Sequence, residues 1–159
     1  MTEIQAAIGM EQLKKLDRMV EIRRRNAAYL TKHLDNVEGI SPPSEAQYAK
    51  HAFYYYALRI DSKALGVTRE QFEKALSAEG IPISAGHSTP LLTRTEVFMK
   101  RIGYGNTDRP FNCCHRTEPI DYTAVEFPVA EIVDREVFWL TDALPILARD
   151  DLDDMVAAV

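Results

Sequence analysis

The chain has 159 residues, of which 46% are hydrophobic and 27% charged, and its formal net charge is −5. This length and composition fit one folded domain, or one domain with an appendage, and exclude an intrinsically disordered chain. The acidic balance argues against nucleic acid or an anionic membrane surface as the main partner.

Residues 1–36 predict one long amphipathic helix. The segment contains no proline, and Gly9 is its only glycine. Its apolar residues recur at three- and four-residue spacing, which places them on one side of a helix. The resulting stripe is narrow, as on a helix that packs against another helix. It consists of Leu13, Leu16, Val20, Ala27, Leu30 and Leu34.

The next segments predict a strand, a helix and a second strand. Residues 51–61 are aromatic and rich in β-forming residues, which favours a strand. Thr68 and Gln71 have the spacing of a capping box, so a helix begins there and Gly80 ends it. Residues 81–87 predict the second strand, and the proline near its start is typical of an edge position.

The last third of the chain predicts a short helix within residues 93–103, an irregular stretch over 104–126, a helix that begins at Pro128, a short strand and a final helix over 149–159. The order predicts an α+β fold in which helices cover a small sheet of about three strands. We therefore divide the chain into the long helix, residues 1–36, and a small α/β domain, residues 37–159.

Small polar residues and a histidine follow the second predicted strand. Ser84, His87 and Ser88 lie where a strand passes into a loop, which is a common position for ligand contacts. A lone histidine is a weak sign of a site, and a polar loop with no ligand is the alternative interpretation. From the residue pattern alone, these three are the first candidates for binding.

Two other stretches allow both a functional and a structural interpretation. Residues 113–115, Cys-Cys-His, resemble metal ligands, but three consecutive side chains diverge and no second cysteine pair accompanies them. We predict no metal site there. Residues 53–60, "FYYYALRI", could form a stacking platform, although alternate rings of such a strand usually enter a core. Neither a membrane-spanning run nor a secretory signal is apparent, and two adjacent cysteines suit a reducing cytoplasm.

The opening segment, "MTEIQAAIGMEQLKKLD", resembles a segment of the DegT/DnrJ/EryC1/StrS family of pyridoxal-phosphate-dependent sugar aminotransferases. The similarity continues through "HAFYYYALRID", "FEKALSAEGIPISAGHSTPL" and the closing "FPVAEIVDREVFWLTDALPILARDDLDDMVAAV". It covers the C-terminal part of such an enzyme, including its small domain. The irregular stretch 104–126 is similar to the branch that contains scyllo-inosose aminotransferases.

The resemblance implies the fold of the C-terminal domain of fold-type I transferases and transfer of an amino group from glutamate or glutamine to a keto-sugar or keto-cyclitol. It also implies a homodimer and substrate contacts from His87, with Ser84 and Ser88 as neighbours. Thr2, Glu3 and Gln5 would lie near the cofactor of the dimer-related site. These residues are carried over from the family pattern alone.

The same resemblance predicts that this chain lacks the family's large domain and the lysine that forms the Schiff base. We therefore expect no catalytic residue here, no pyridoxal phosphate bound by this chain alone, and no transamination without the missing domain. The alternative is a stand-alone binding or dimerisation module without catalysis. A third possibility is a relative whose full-length form carries out dehydration, because such enzymes share this domain.

Overall fold

The computed structural model describes residues 1–85, 91–105, 107, 109–112, 118, 120–140 and 147–159. Backbone contacts group the chain into two compact units, which are residues 1–85 with 136–159 and residues 86–135. Within the described ranges, no helix is both long and apolar enough to cross a bilayer.

The predicted long helix is confirmed as α1, Glu3–Leu34, which has 32 residues. Thr2 is its N-cap, and Asp35 closes its C-terminus with a backbone N–H bond to the preceding turn. The chain then turns at Gly39, whose φ is +78°. A Cβ at Gly39 would lie 2.7 Å from Leu65 Cγ, so glycine is needed both for the backbone angle and for the close approach.

Four strands in the described part of the chain form one antiparallel sheet, in the order β1-β2-β4-β3. The strands are β1, Ile40–Ser41; β2, Tyr56–Ile60; β3, Ile83–Ala85; and β4, Val137–Leu140. The prediction of about three strands is thus confirmed, with the two-residue β1 added at one edge.

The predicted first strand, residues 51–61, is wrong in its first half, because Phe53 has φ +47° and interrupts extended backbone. The second strand is shorter than the predicted 81–87. Residues 86–87 lie outside the described residues.

The core lies on one face of the sheet. Alternate residues of β2 and β4 enter it, and helices α1, α3 (Arg69–Ala78) and α6 (Arg149–Ala158) cover that face. A short helix α2, Ser62–Leu65, precedes α3. Complete burial of each large apolar side chain contributes about 1.5–3 kcal/mol. The largest fully buried side chains are Tyr56, Phe138, Leu30, Leu34, Leu58, Ile60 and Leu76.

The described residues of the second unit include a 3-10 turn (Leu92–Arg94), α4 (Glu96–Met99) and most of α5 (Pro128–Glu136). None of them is fully buried, and the rings of Phe98, Phe111 and Tyr122 pack against one another edge to face. The Arg94 guanidinium donates to the carbonyl oxygens of Tyr122, Thr123 and Val125, each at 3.2 Å. These bonds give a defined path to part of the stretch that the sequence predicts as irregular.

Candidate functional site

The described part of the predicted binding region lies in the backbone of β3. Ser84 is opposite Trp139 of β4, and Ala57 of β2 is opposite Trp139 on its other side. The neighbouring register rows contain the buried residues of β2 and β4, so Ala57 and Trp139 belong to the sheet face away from the core. His87 and Ser88 lie outside the described residues.

The candidates at the N-terminus lie at the start of α1. The Thr2 backbone N–H donates to Gln5 Oε1 at 2.8 Å, and the Gln5 N–H donates to Thr2 Oγ1 at 3.3 Å. This capping box uses both side chains to begin the helix, and Glu3 in the first turn suits the helix dipole. Thr2 precedes Asn26, the first buried residue, by about 36 Å of helix at 1.5 Å per residue.

The seven lysines of the chain are all exposed. Lys14 is paired with Glu11, and Lys100 with Glu96. Covalent chemistry with pyridoxal phosphate needs an amine whose pKa is lowered by an apolar or cationic environment. A side chain that is exposed to solvent lacks such an environment, so these lysines do not fit that role. The set is Lys14, Lys15, Lys32, Lys50, Lys63, Lys74 and Lys100.

The described residues contain no group of three His, Cys, Asp or Glu side chains that could bind one metal ion. Residues 113–115, where the sequence analysis weighed a metal, lie outside them. The acidic start of α6 has a structural use, because the Asp151 carboxylate accepts the Ala148 backbone N–H at 2.7 Å.

The aromatic stretch divides between the core and an exposed edge. Tyr56 is fully buried, its hydroxyl lies 2.8 Å from Thr31 Oγ1, and burial raises the pKa of Tyr56 to about 12. Tyr54 is 56% exposed and makes an edge contact with Tyr55, at 4.5 Å between ring centroids. The half-core interpretation is therefore confirmed for Tyr56, whereas Tyr54 and Tyr55 remain accessible at least in part.

Two partners of these rings were missed by the sequence analysis. The Arg23 guanidinium carbon lies 5.9 Å from the centre of the Tyr54 ring. The Tyr55 and Trp139 rings are 5.7 Å apart, although the two residues belong to distant parts of the chain. The only available signal is the alternation of strand residues, which places positions 55 and 57 on one side once the strand is known. The match with Trp139 requires the pairing of β2 with β4.

Comparison with known proteins identifies the same aminotransferase family by sequence model and by curated relatives. The model of the DegT/DnrJ/EryC1/StrS aminotransferase family matches residues 1–115. The L-glutamine:2-deoxy-scyllo-inosose aminotransferase of Streptomyces lividus is 31% identical over 99% of this chain and 36% of its own length. The chain spans between 36% and 38% of the length of the first curated relatives that it matches.

Solved structures show the same fold. The sugar aminotransferase CalS13 from Micromonospora echinospora has a TM-score of 0.71 at 21% identity, over 99% of this chain and 34% of that one. GDP-4-keto-6-deoxy-D-mannose-3-dehydratase from E. coli, solved with bound hydrated PLP, has a TM-score of 0.68 at 24% identity, over 96% of this chain and 33% of that one. The fold is therefore that of the corresponding third of such enzymes.

Proposed function

Because this chain belongs to the DegT/DnrJ/EryC1/StrS aminotransferase family, we propose that it supplies the C-terminal small domain of a pyridoxal-phosphate-dependent aminotransferase. The whole enzyme transfers an amino group from glutamate or glutamine to a keto-sugar or keto-cyclitol. The family match over residues 1–115 carries this proposal. The Streptomyces lividus relative, a cyclitol aminotransferase by name, supports the substrate class.

We assign the substrate side of the small domain to the end of β3 and the residues that follow it. His87 contacts the substrate in this proposal, with Ser84 and Ser88 as neighbours. The backbone position of Ser84 at the end of strand β3 supports the assignment, since ligand contacts are common where a strand passes into a loop. In the whole enzyme, exchange of His87 for glutamine should raise the KM for the keto substrate more than the KM for the amino donor.

We assign α1 to the boundary between the small domain, the large domain and a second subunit. Large apolar side chains in its first half are exposed, as expected of a surface that another part of an assembly covers. Thr2, Glu3 and Gln5 then lie beside the cofactor site of the partner subunit. The cytoplasm is the proposed location, and the adjacent cysteines of the sequence suit its reducing conditions.

We also propose that this chain alone does not transaminate, because none of its exposed lysines is prepared for covalent chemistry. The test adds pyridoxal phosphate and follows absorbance at about 420 nm, then reduces with borohydride and maps any adduct by mass spectrometry. We expect sparse labelling spread over several lysines, with no site labelled more than the side chain of free Nα-acetyl-lysine under the same conditions. A stoichiometric adduct at one lysine would contradict the proposal.

A further inference from the structure

The segment before β2 contains a turn that is closed by a histidine ring. The Phe53 backbone N–H donates to His51 Nδ1 at 2.8 Å, and the two rings lie 4.4 Å apart. Phe53 is buried and has φ +47°, which a phenylalanine rarely adopts and which needs support from its surroundings. The bond from residue i+2 to the side chain of residue i is the arrangement that asparagine makes in an Asx turn.

The backbone of His51 is fixed to α1 by an ion pair. Arg24 donates to the two carboxylate oxygens of Glu45 at 2.8 and 3.3 Å and to the His51 carbonyl oxygen at 2.6 Å. The His51 N–H donates to Glu45 Oε1 at 2.6 Å. The main chain at His51 is therefore held on both sides. The hydrogen bond from Arg24 lowers the pKa of Glu45, so the His51 ring is the group of this turn that changes charge first as the pH falls.

Other charged groups lie near this turn, on α1 and on the segment that follows it. Arg24 and Glu45 are paired with each other. Lys32 of α1 and Asp35, which closes that helix, line a surface cleft of about 480 Å³ together with Phe53. Lys50 precedes the histidine in the sequence and is exposed. These groups do not offer Phe53 N–H another acceptor in place of His51 Nδ1.

A nitrogen of imidazole accepts a hydrogen bond only while it carries no proton. The turn therefore requires a neutral His51 with its proton on Nε2, and protonation of Nδ1 places two donors against each other. Residues 54 and 55 follow the turn directly, and the Tyr55 ring contacts Trp139. We propose that His51 is a proton-sensitive latch, which closes the Phe53 turn and thereby holds Tyr54 and Tyr55 at the start of β2.

Protonation of His51 removes the acceptor and releases this turn, so Tyr54 and Tyr55 change their positions when the ring takes up a proton. Attraction between the protonated ring and Glu45 does not restore the bond, because the lost acceptor served Phe53. The device is separate from the proposed transfer reaction, and it requires neither cofactor nor substrate. If experiments refute the latch, the function proposed above for the small domain is unaffected.

Trp139 is the only tryptophan of the chain and its ring contacts Tyr55, so its fluorescence reports a displacement of Tyr55. We expect the emission of the unaltered chain to change between about pH 8 and pH 5, in the range where histidine titrates. His51→Asn keeps an acceptor and does not titrate, so its emission should stay constant and resemble that of the unaltered chain at pH 8. His51→Ala should show the acid form at both pH values. The matched control is His33→Asn, which should keep the transition.

Two results would overturn the proposal: a full transition in His51→Asn, or an unaltered emission in His51→Ala at pH 8. Histidine nitrogen chemical shifts of the unaltered chain give a second test that needs no variant. At pH 8 they should show an unprotonated Nδ1 at His51, and a protonated Nδ1 would refute the latch. Exchange of the Phe53 amide hydrogen should accelerate about fivefold in His51→Ala, the ratio for one neutral hydrogen bond of about 1 kcal/mol.

Discussion

The structure predicts that two leucines of the same helix stripe differ sharply in their contribution to stability. Leu30 is fully buried between α1 and the sheet, whereas Leu13 is 68% exposed. Leu30→Ala removes a filled volume and leaves a cavity, so it should lower the free energy of unfolding by about 2–5 kcal/mol. Leu13→Ala removes little contact within one chain and should change that free energy by less than about 0.5 kcal/mol.

Urea titration followed by far-UV circular dichroism measures both changes in the free energy of unfolding. The slope of that free energy against urea concentration should be similar for the unaltered chain and the two variants, which shows that unfolding exposes the same amount of surface in each. The titrations are run at low and high protein concentration. At low concentration, equal losses for the two variants would refute the division of α1 into a buried and an uncovered half. If chains associate through the uncovered half, the cost of Leu13→Ala should grow with concentration, while that of Leu30→Ala should not.

Three further outcomes follow from the contacts. The hydrogen bonds from Arg24 hold the pKa of Glu45 below its usual range, so this carboxylate stabilises the fold above its unfolded-state pKa and loses that effect as pH falls through the lowered value. Glu45→Gln should therefore be less stable at neutral pH and lose less stability on acidification. Arg94→Lys keeps the charge but not the planar fork, so amides near Thr123 should exchange about tenfold faster. Sedimentation of the unaltered chain should show reversible self-association, and a monomer at high concentration would contradict the role proposed for α1.

The sequence predicted helices well because their signals are local. Thr68 and Gln71 form the expected capping box, with a side-chain bond in each direction. Pro128 begins α5 as expected. Strand bounds were predicted poorly, since the turn at Phe53 depends on the His51 ring and on α1. No pattern within residues 51–61 records these contacts.

At the candidate site, too, the sequence indicates features of one segment but not contacts between segments that are distant in the chain. Ser84 was chosen from residue types alone and its role stays a prediction, whereas its register opposite Trp139 arises only when β4 pairs with β3. Arg23 illustrates the point further. On a helix it has the pattern of a solvated cation, yet its guanidinium group lies over Tyr54, which the fold brings to α1.

In α1, the spacing of the apolar residues predicts the helix correctly but does not predict which of these residues are buried. Leu13 and Leu16 continue the same stripe as Leu30 and Leu34, yet only the second pair is buried. Periodicity states which side of a helix is apolar, but coverage depends on what the rest of the protein places there. Five large apolar side chains of the first half of α1 remain 47–74% exposed, and burial of that remaining surface would contribute roughly 5–9 kcal/mol to an assembly. A helix with so much to gain from a partner fits the boundary of a larger enzyme, which is the position that we propose for it.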